Sequence, residues 1–168
     1  MTFSDKRKPE LMAPAGDMIS LRAALEAGAD AVYFGVVSMN MRASARNFAA
    51  CEMPEIAQLC HEYGAKAYLA MNTIVYDSEL ELAETLVEQA AAAGIDAIIC
   101  WDFAILDLAL RYKIAAFVST QMSVANSSAL VFLYRHYGVK RFVLARECTL
   151  DDIVSIRRNL LAQLGDDA

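Results

Sequence analysis

Short runs of consecutive apolar residues alternate with longer amphipathic segments along the whole chain. The apolar runs lie at residues 10–13, 31–34, 66–70, 96–100, 116–118 and 141–144. They do not alternate polar with apolar, so they read as strands buried on both faces, which favours a parallel sheet covered by helices. Each ends in a small or polar turn, and a helical pattern follows. Helices are predicted over 17–27, 54–63, 78–93, 103–112, 126–137 and 150–161. Asp17 is placed to cap the first, Pro54 sits in the first turn of the second, and Gly28, Gly64, Gly94 and Gly138 stop four of them. In the third, Leu80, Leu82, Ala83, Leu86, Val87 and Ala90 form one broad apolar stripe, with Glu79, Glu81, Glu84 and Glu88 mostly outside it.

Strand–helix alternation with short connections is the α/β signature. A helix-ending glycine, a two-residue bend and a new strand recur at Gly28–Ala29–Asp30, Gly94–Ile95–Asp96 and Gly138–Val139–Lys140. That repetition suits TIM-barrel-like (β/α) units; an open doubly wound sheet is the competing architecture. Six units of roughly 25 residues fill the 168 residues, whereas a complete eight-unit barrel takes about 250. The expected fold is a single domain with six of eight units, an incomplete or open barrel, preceded by a flexible segment at residues 1–8.

Composition narrows the function classes. Hydrophobic residues make up 57% of the chain, too many for intrinsic disorder. The net charge of −6 argues against an electrostatic nucleic-acid clamp, although a local basic patch at Arg135, His136, Lys140 and Arg141 reads as a solvated face. The longest uncharged run, 114–134, carries too many hydroxyls and amides for a membrane span, and the charged start lacks a signal core. Cys51, Cys60, Cys100 and Cys148 are widely spaced, which reads as reduced, mostly buried thiols of a cytoplasmic protein.

In a parallel barrel the functional groups gather at the carboxyl ends of the strands. Asn72, Asp102, Ser119, Thr120, Gln121, Arg146 and Glu147 each follow an apolar run, and Asn40, Arg42, Arg46 and Asn47 lie on the longest connection, 36–53. Each has a plainer reading. Asn72 and Asp102 suit turns or caps, Thr120 and Gln121 suit strand-end backbone groups, Arg146 with Glu147 suits an ion pair, and Arg42 and Arg46 suit solvated loop charges. Their clustering on one rim favours a binding site. The sequence contains no Gly-x-Gly-x-x-Gly, Gly-x-Ser-x-Gly or His-Glu-x-x-His run.

The segments Leu11-Met12-Ala13-Pro14-Ala15-Gly16, Gly28-Ala29-Asp30-Ala31-Val32-Tyr33-Phe34-Gly35, Met71-Asn72-Thr73, Val118-Ser119-Thr120-Gln121 and Val143-Leu144-Ala145-Arg146-Glu147 occur in this order. Together they resemble the N-terminal barrel of the U32 peptidase family, the collagenase-like proteases, over roughly residues 9–156. Arg42 and Asn47-Phe48 fit that family's second-strand loop, and Asn126 fits the Asn after its fifth-strand motif. Trp101 stands where the family usually has a small residue.

The resemblance implies one of two activities: proteolysis, as the family name says, or oxygen-independent hydroxylation of RNA or of quinone precursors, some of it with prephenate as hydroxyl donor. Full-length members hold an iron–sulfur cluster through cysteines after a seventh strand; this chain lacks that segment, so no cofactor is expected on it. Arg42, Asn47, Asn72, Thr120, Gln121, Asn126 and Arg146 are the substrate-binding candidates, matched to a small anionic, prephenate-like metabolite. Asp102 and Glu147 are the acid/base candidates. The other reading is a non-catalytic barrel portion that forms a homo-oligomer or pairs with a second chain completing the barrel, because unpaired sheet edges attract partners.

Overall fold

The computed structural model describes residues 8–39 and 47–165. Arg42, Asn40, Arg46 and residues 1–7 of the N-terminal segment lie outside the described residues. Six parallel strands form one sheet in sequential order: β1 (Met12–Pro14), β2 (Ala31–Phe34), β3 (Lys66–Met71), β4 (Ala97–Cys100), β5 (Ala115–Val118) and β6 (Arg141–Phe142). Helices follow each strand: α1 (Met18–Glu26), α2 (Met53–Glu62), α3 (Leu80–Ala92), α4 (Phe103–Arg111), α5 (Ser127–Tyr137) and α6 (Leu150–Leu164). Strictly sequential order has no switch point, which excludes the doubly wound alternative. The sheet curls into a half-barrel, with its helices on the convex side.

Register explains this layering. Val32 pairs with Ala67, Phe34 with Leu69, Leu69 with Ile98 and Ile98 with Ala116, so these side chains share one face. That face is fully buried against Leu21, Ile56, Val87, Ile105 and Leu130 of the helices. On the concave face a smaller cluster of Ala31, Tyr68 and Ala97 is flanked by partly buried Tyr33, Ile99 and Phe117.

Local chemistry sets the helix ends. Asp17 accepts the Ser20 amide in a capping box, Asn126 accepts from Ala129, and Thr149 accepts from Asp152. Gly28, Gly64, Gly94 and Gly138 all take positive φ, which lets each helix turn at once toward the next strand. His61 near the end of α2 reaches Asp96 before β4, with Nε2 2.9 Å from Oδ2, and the same carboxylate oxygen accepts the Ala67 amide.

Three expectations need correction. Leu80 and Leu82 are exposed; the stripe that meets the sheet is Ala83, Leu86, Val87 and Ala90, because Leu80 and Leu82 belong to the first turn of α3. Only Cys60 and Cys100 are buried; Cys51 is exposed and Cys148 intermediate. Arg141 does not belong to a solvated basic face. Its register opposite Phe117 turns it onto the concave side, where its guanidinium lies 4.4 Å from the Phe117 ring centroid. There it forms a two-pronged ion pair with Glu10 just before β1, one arm at 3.0 Å, and the Tyr68 hydroxyl donates to the same carboxylate. The first and last strands are thus braced across the concave face by side chains.

Among the described residues no helix is long and apolar enough to cross a membrane.

Candidate functional site

The carboxyl ends of β3, β4 and β5 deliver Asn72, Trp101 and Ser119 to one rim. Ser119 then caps a short 3-10 turn, Thr120–Met122, by accepting the Gln121 amide, which fixes where the Gln121 side chain projects. Gln121 reaches across the end of β4 to β3. Its Nε2 donates to the Asn72 carbonyl at 3.0 Å, and its Oε1 accepts from Asn72 Nδ2 at 2.9 Å and from the Ser119 hydroxyl at 3.0 Å. Trp101, just past the end of the strand between, donates its indole N–H to the same Asn72 carbonyl at 3.0 Å. Three strand ends are therefore tied by one closed set of hydrogen bonds. Ser119 is buried, and its hydroxyl is spent on this lock.

Above the lock opens a cleft of about 510 Å3, lined by Met39, Thr73, Ile74, Tyr76, Glu79, Trp101 and Gln121. That volume is in the range of small-molecule sites. Met39 holds a left-handed backbone, φ +57°, as it enters the cleft wall. Glu79 accepts the Tyr76 amide at 3.0 Å, so the loop carrying the exposed Tyr76 ring is anchored at its base.

The remaining candidates are placed differently. Asp102 is committed to structure. One carboxylate oxygen accepts the Ala104 amide at 2.8 Å and caps α4, and the other accepts the Val75 amide at 3.1 Å and holds the loop after β3. Thr120 opens the 3-10 turn beside Gln121 and is half-buried. Asn126 caps α5 and lines a separate groove of about 300 Å3 with Phe103, Met122 and Phe132. Asn47 is half-buried at the start of the described segment after β2. Arg146 and Glu147 are both exposed in the turn after β6, and no ion pair joins them among the described residues. Arg42 lies outside the described residues.

Sequence reasoning grouped Asn72 and Gln121 correctly as neighbours on a rim but did not name Thr73, Ile74, Tyr76 or Met39 as its walls. The available signal was the loop after β3, where the run Ile74-Val75-Tyr76 interrupts polar residues.

Both histidines sit away from this rim: His61 against Asp96 before β4, and His136 on its own helix, where it meets the Phe132 carbonyl. An iron–sulfur cluster requires converging thiolates. Burial raises the Cys60 thiol to about 11 and the Cys100 thiol to about 12, the nearby Asp96 and Asp102 adding to the effect, and both are packed in the helix–sheet core. Among the described residues no three His, Cys, Asp or Glu side chains converge. The thiols of this chain do not fit a cluster site.

Residues 16–164 match the model of peptidase family U32. The chain is 40% identical over 153 residues to a collagenase of Porphyromonas gingivalis, covering 90% of this chain and 36% of that protein. It is 38% identical over 158 residues to the 23S rRNA 5-hydroxycytidine synthase of Escherichia coli, covering 94% and 24%. It is 32% identical over 156 residues to a tRNA hydroxylation protein of Bacillus subtilis, covering 92% and 37%. The chain thus spans little more than a third, at most, of the length of these three relatives. Among solved structures, a U32 peptidase superposes with a TM-score of 0.68 at 15% identity, covering 94% of this chain and 68% of that one. An oxaloacetate acetylhydrolase superposes with 0.61 at 14%, covering 94% and 64%. At such identities these two likenesses concern the fold.

Proposed function

Since the chain belongs to peptidase family U32, we propose that its strand-end rim is the substrate-binding part of a protein engaged in oxygen-independent hydroxylation of RNA or of a quinone precursor. The observation that carries this reading is the lock of Asn72, Trp101, Ser119 and Gln121 beneath an open cleft. A hydroxylation protein must hold its substrate still at a fixed depth, and a floor whose groups satisfy one another is rigid before the ligand arrives. Relatives named for tRNA hydroxylation and rRNA hydroxycytidine synthesis support the reaction class.

In this reading Asn72 and Gln121 are positioning residues. Arg146 and Arg42 are the residues assigned to pair with an anionic, prephenate-like substrate through forked guanidinium contacts, with Thr120 and Asn47 as further polar contacts. Glu147, exposed beside Arg146, takes the proton-transfer role; Asp102 sets the loop and helix that frame the cleft. Proteolysis finds less support here, because neither histidine lies near the Ser119 hydroxyl or the cleft.

Calorimetric titration with prephenate tests the proposal. Binding is expected, and R146A and R42A should each weaken it about ten-fold, the scale of one charge-assisted contact. Binding unchanged by both substitutions, or no binding, overturns the anion-site reading.

A second reading has its own observation. Both edge strands are unpaired among the described residues, and on the concave side Met12 and Val143 are more than 40% exposed beside them. We propose that these edges pair with further (β/α) units, from a second chain or a second copy. Light scattering after size exclusion reads this out; a monomer at all concentrations sinks pairing between copies.

A further inference from the structure

The rim cleft is walled by rings and floored by amides that are already engaged. The Asn72 carbonyl takes two donors, from Trp101 and Gln121, and Gln121 Oε1 takes two more, from Asn72 and Ser119. A carbonyl oxygen has two lone pairs, so these two acceptors have little left to offer a ligand. The wall is different. Tyr76 is 63% exposed and Ile74 51%, both lining the cleft, while Trp101 lines it with its indole orientation fixed by the N–H bond to Asn72. The Tyr76 loop is itself pinned twice, by Glu79 on the Tyr76 amide and by Asp102 on the Val75 amide.

From this geometry we infer that Trp101 is a specificity-determining residue of the cleft, selecting ligands that present a flat, conjugated ring to the wall it forms with Tyr76. The inference rests on the rim being the substrate site. A fixed indole has already lost the rotamer freedom that binding would otherwise cost, and offers a π-face that a flat ring covers and a puckered ring does not. The amide floor limits how deep the ring can enter.

Trp101 is the single tryptophan of the chain, so its emission reports on this cleft alone. Benzoate and cyclohexanecarboxylate carry the same charge on a flat and on a puckered ring, and cytidine and ribose separate base from sugar. Saturable quenching is expected with benzoate and cytidine, and none with cyclohexanecarboxylate or ribose. Y76A, which keeps the reporter, should weaken the benzoate response about ten-fold. By calorimetry W101A should bind benzoate and cyclohexanecarboxylate alike, while W101F, which keeps a ring and loses the N–H donor, should retain the preference. Equal quenching by the flat and puckered rings, or a preference that survives W101A, overturns the inference. If prephenate binds with R146A sensitivity but no flat ring alters Trp101 emission, the aromatic wall fails and the rim reading stands; no binding by any of these probes fails both.

Discussion

Asp102 shows how one side chain can shape a site without entering its chemistry. Both oxygens accept backbone amides, one at the start of α4 and one in the loop that carries Tyr76. D102A should lower stability by about 1–2 kcal/mol, the cost of a lost cap with a stranded loop amide. D102N should recover only part of it, because the Asn Oδ1 can still cap α4 whereas its Nδ2 is a donor and cannot accept the Val75 amide; urea unfolding of the two variants makes the comparison. A D102N protein that binds ring ligands normally would confirm a framing role. Caps of this kind were legible in the sequence, since Asp17, Asp102, Asn126 and Thr149 each need only the helix that follows them. Arg141 was not. Its strand is two residues long, too short for any period to be read, and only the register with Phe117 decides which way it faces.

At the scale of elements, the helix-to-strand corners repeat one solution. Gly138 adopts φ +66°, and a methyl group there would meet nothing within 4 Å. The cost of G138A is therefore local backbone strain, about 1 kcal/mol, without a clash against the rest of the fold. Chemical denaturation should show that loss with an unchanged m-value; a loss of several kcal/mol would mean that the corner is packed more tightly than the geometry shows. The glycine spacing made four of these corners, and the strands that follow them, readable from sequence. The ends of α3 were harder. Leu80 and Leu82 look like core residues by composition, but the sheet beneath α3 is met by Ala83, Leu86, Val87 and Ala90. How far a stripe extends over its sheet depends on where the strands end, and that information is tertiary.

Across the whole molecule, curvature of the sheet is held on the concave side by the Glu10–Arg141 pair, with Tyr68 and Phe117 beneath it. The Arg141 guanidinium, chiefly through its hydrogen bonds, holds the Glu10 carboxyl below its ordinary value. A depressed folded-state value means that the stabilisation is present above the unfolded carboxylate range and is lost as the pH falls through the folded one. Wild type should therefore lose stability between about pH 5 and lower pH, and E10Q should show a shallower loss over that window. Thermal unfolding across pH 3–7 compares the two, and identical pH profiles would exclude the brace. Sequential strands and helices on one side were foreseeable from unit spacing. The brace was not, because its partners sit just before the first strand and in the last one, far apart in sequence.

That separation has a kinetic consequence. Residues 10 and 141 stand 131 positions apart, while each neighbouring strand pair is joined through a single helix. Closing so long a loop brings little reward until the intervening units have already curled the sheet. The pair therefore belongs to the last part of folding and the first part of unfolding. Stopped-flow measurements should find E10Q refolding at the wild-type rate but unfolding faster, so that the ion pair governs how long the native curl survives and not how quickly it is reached.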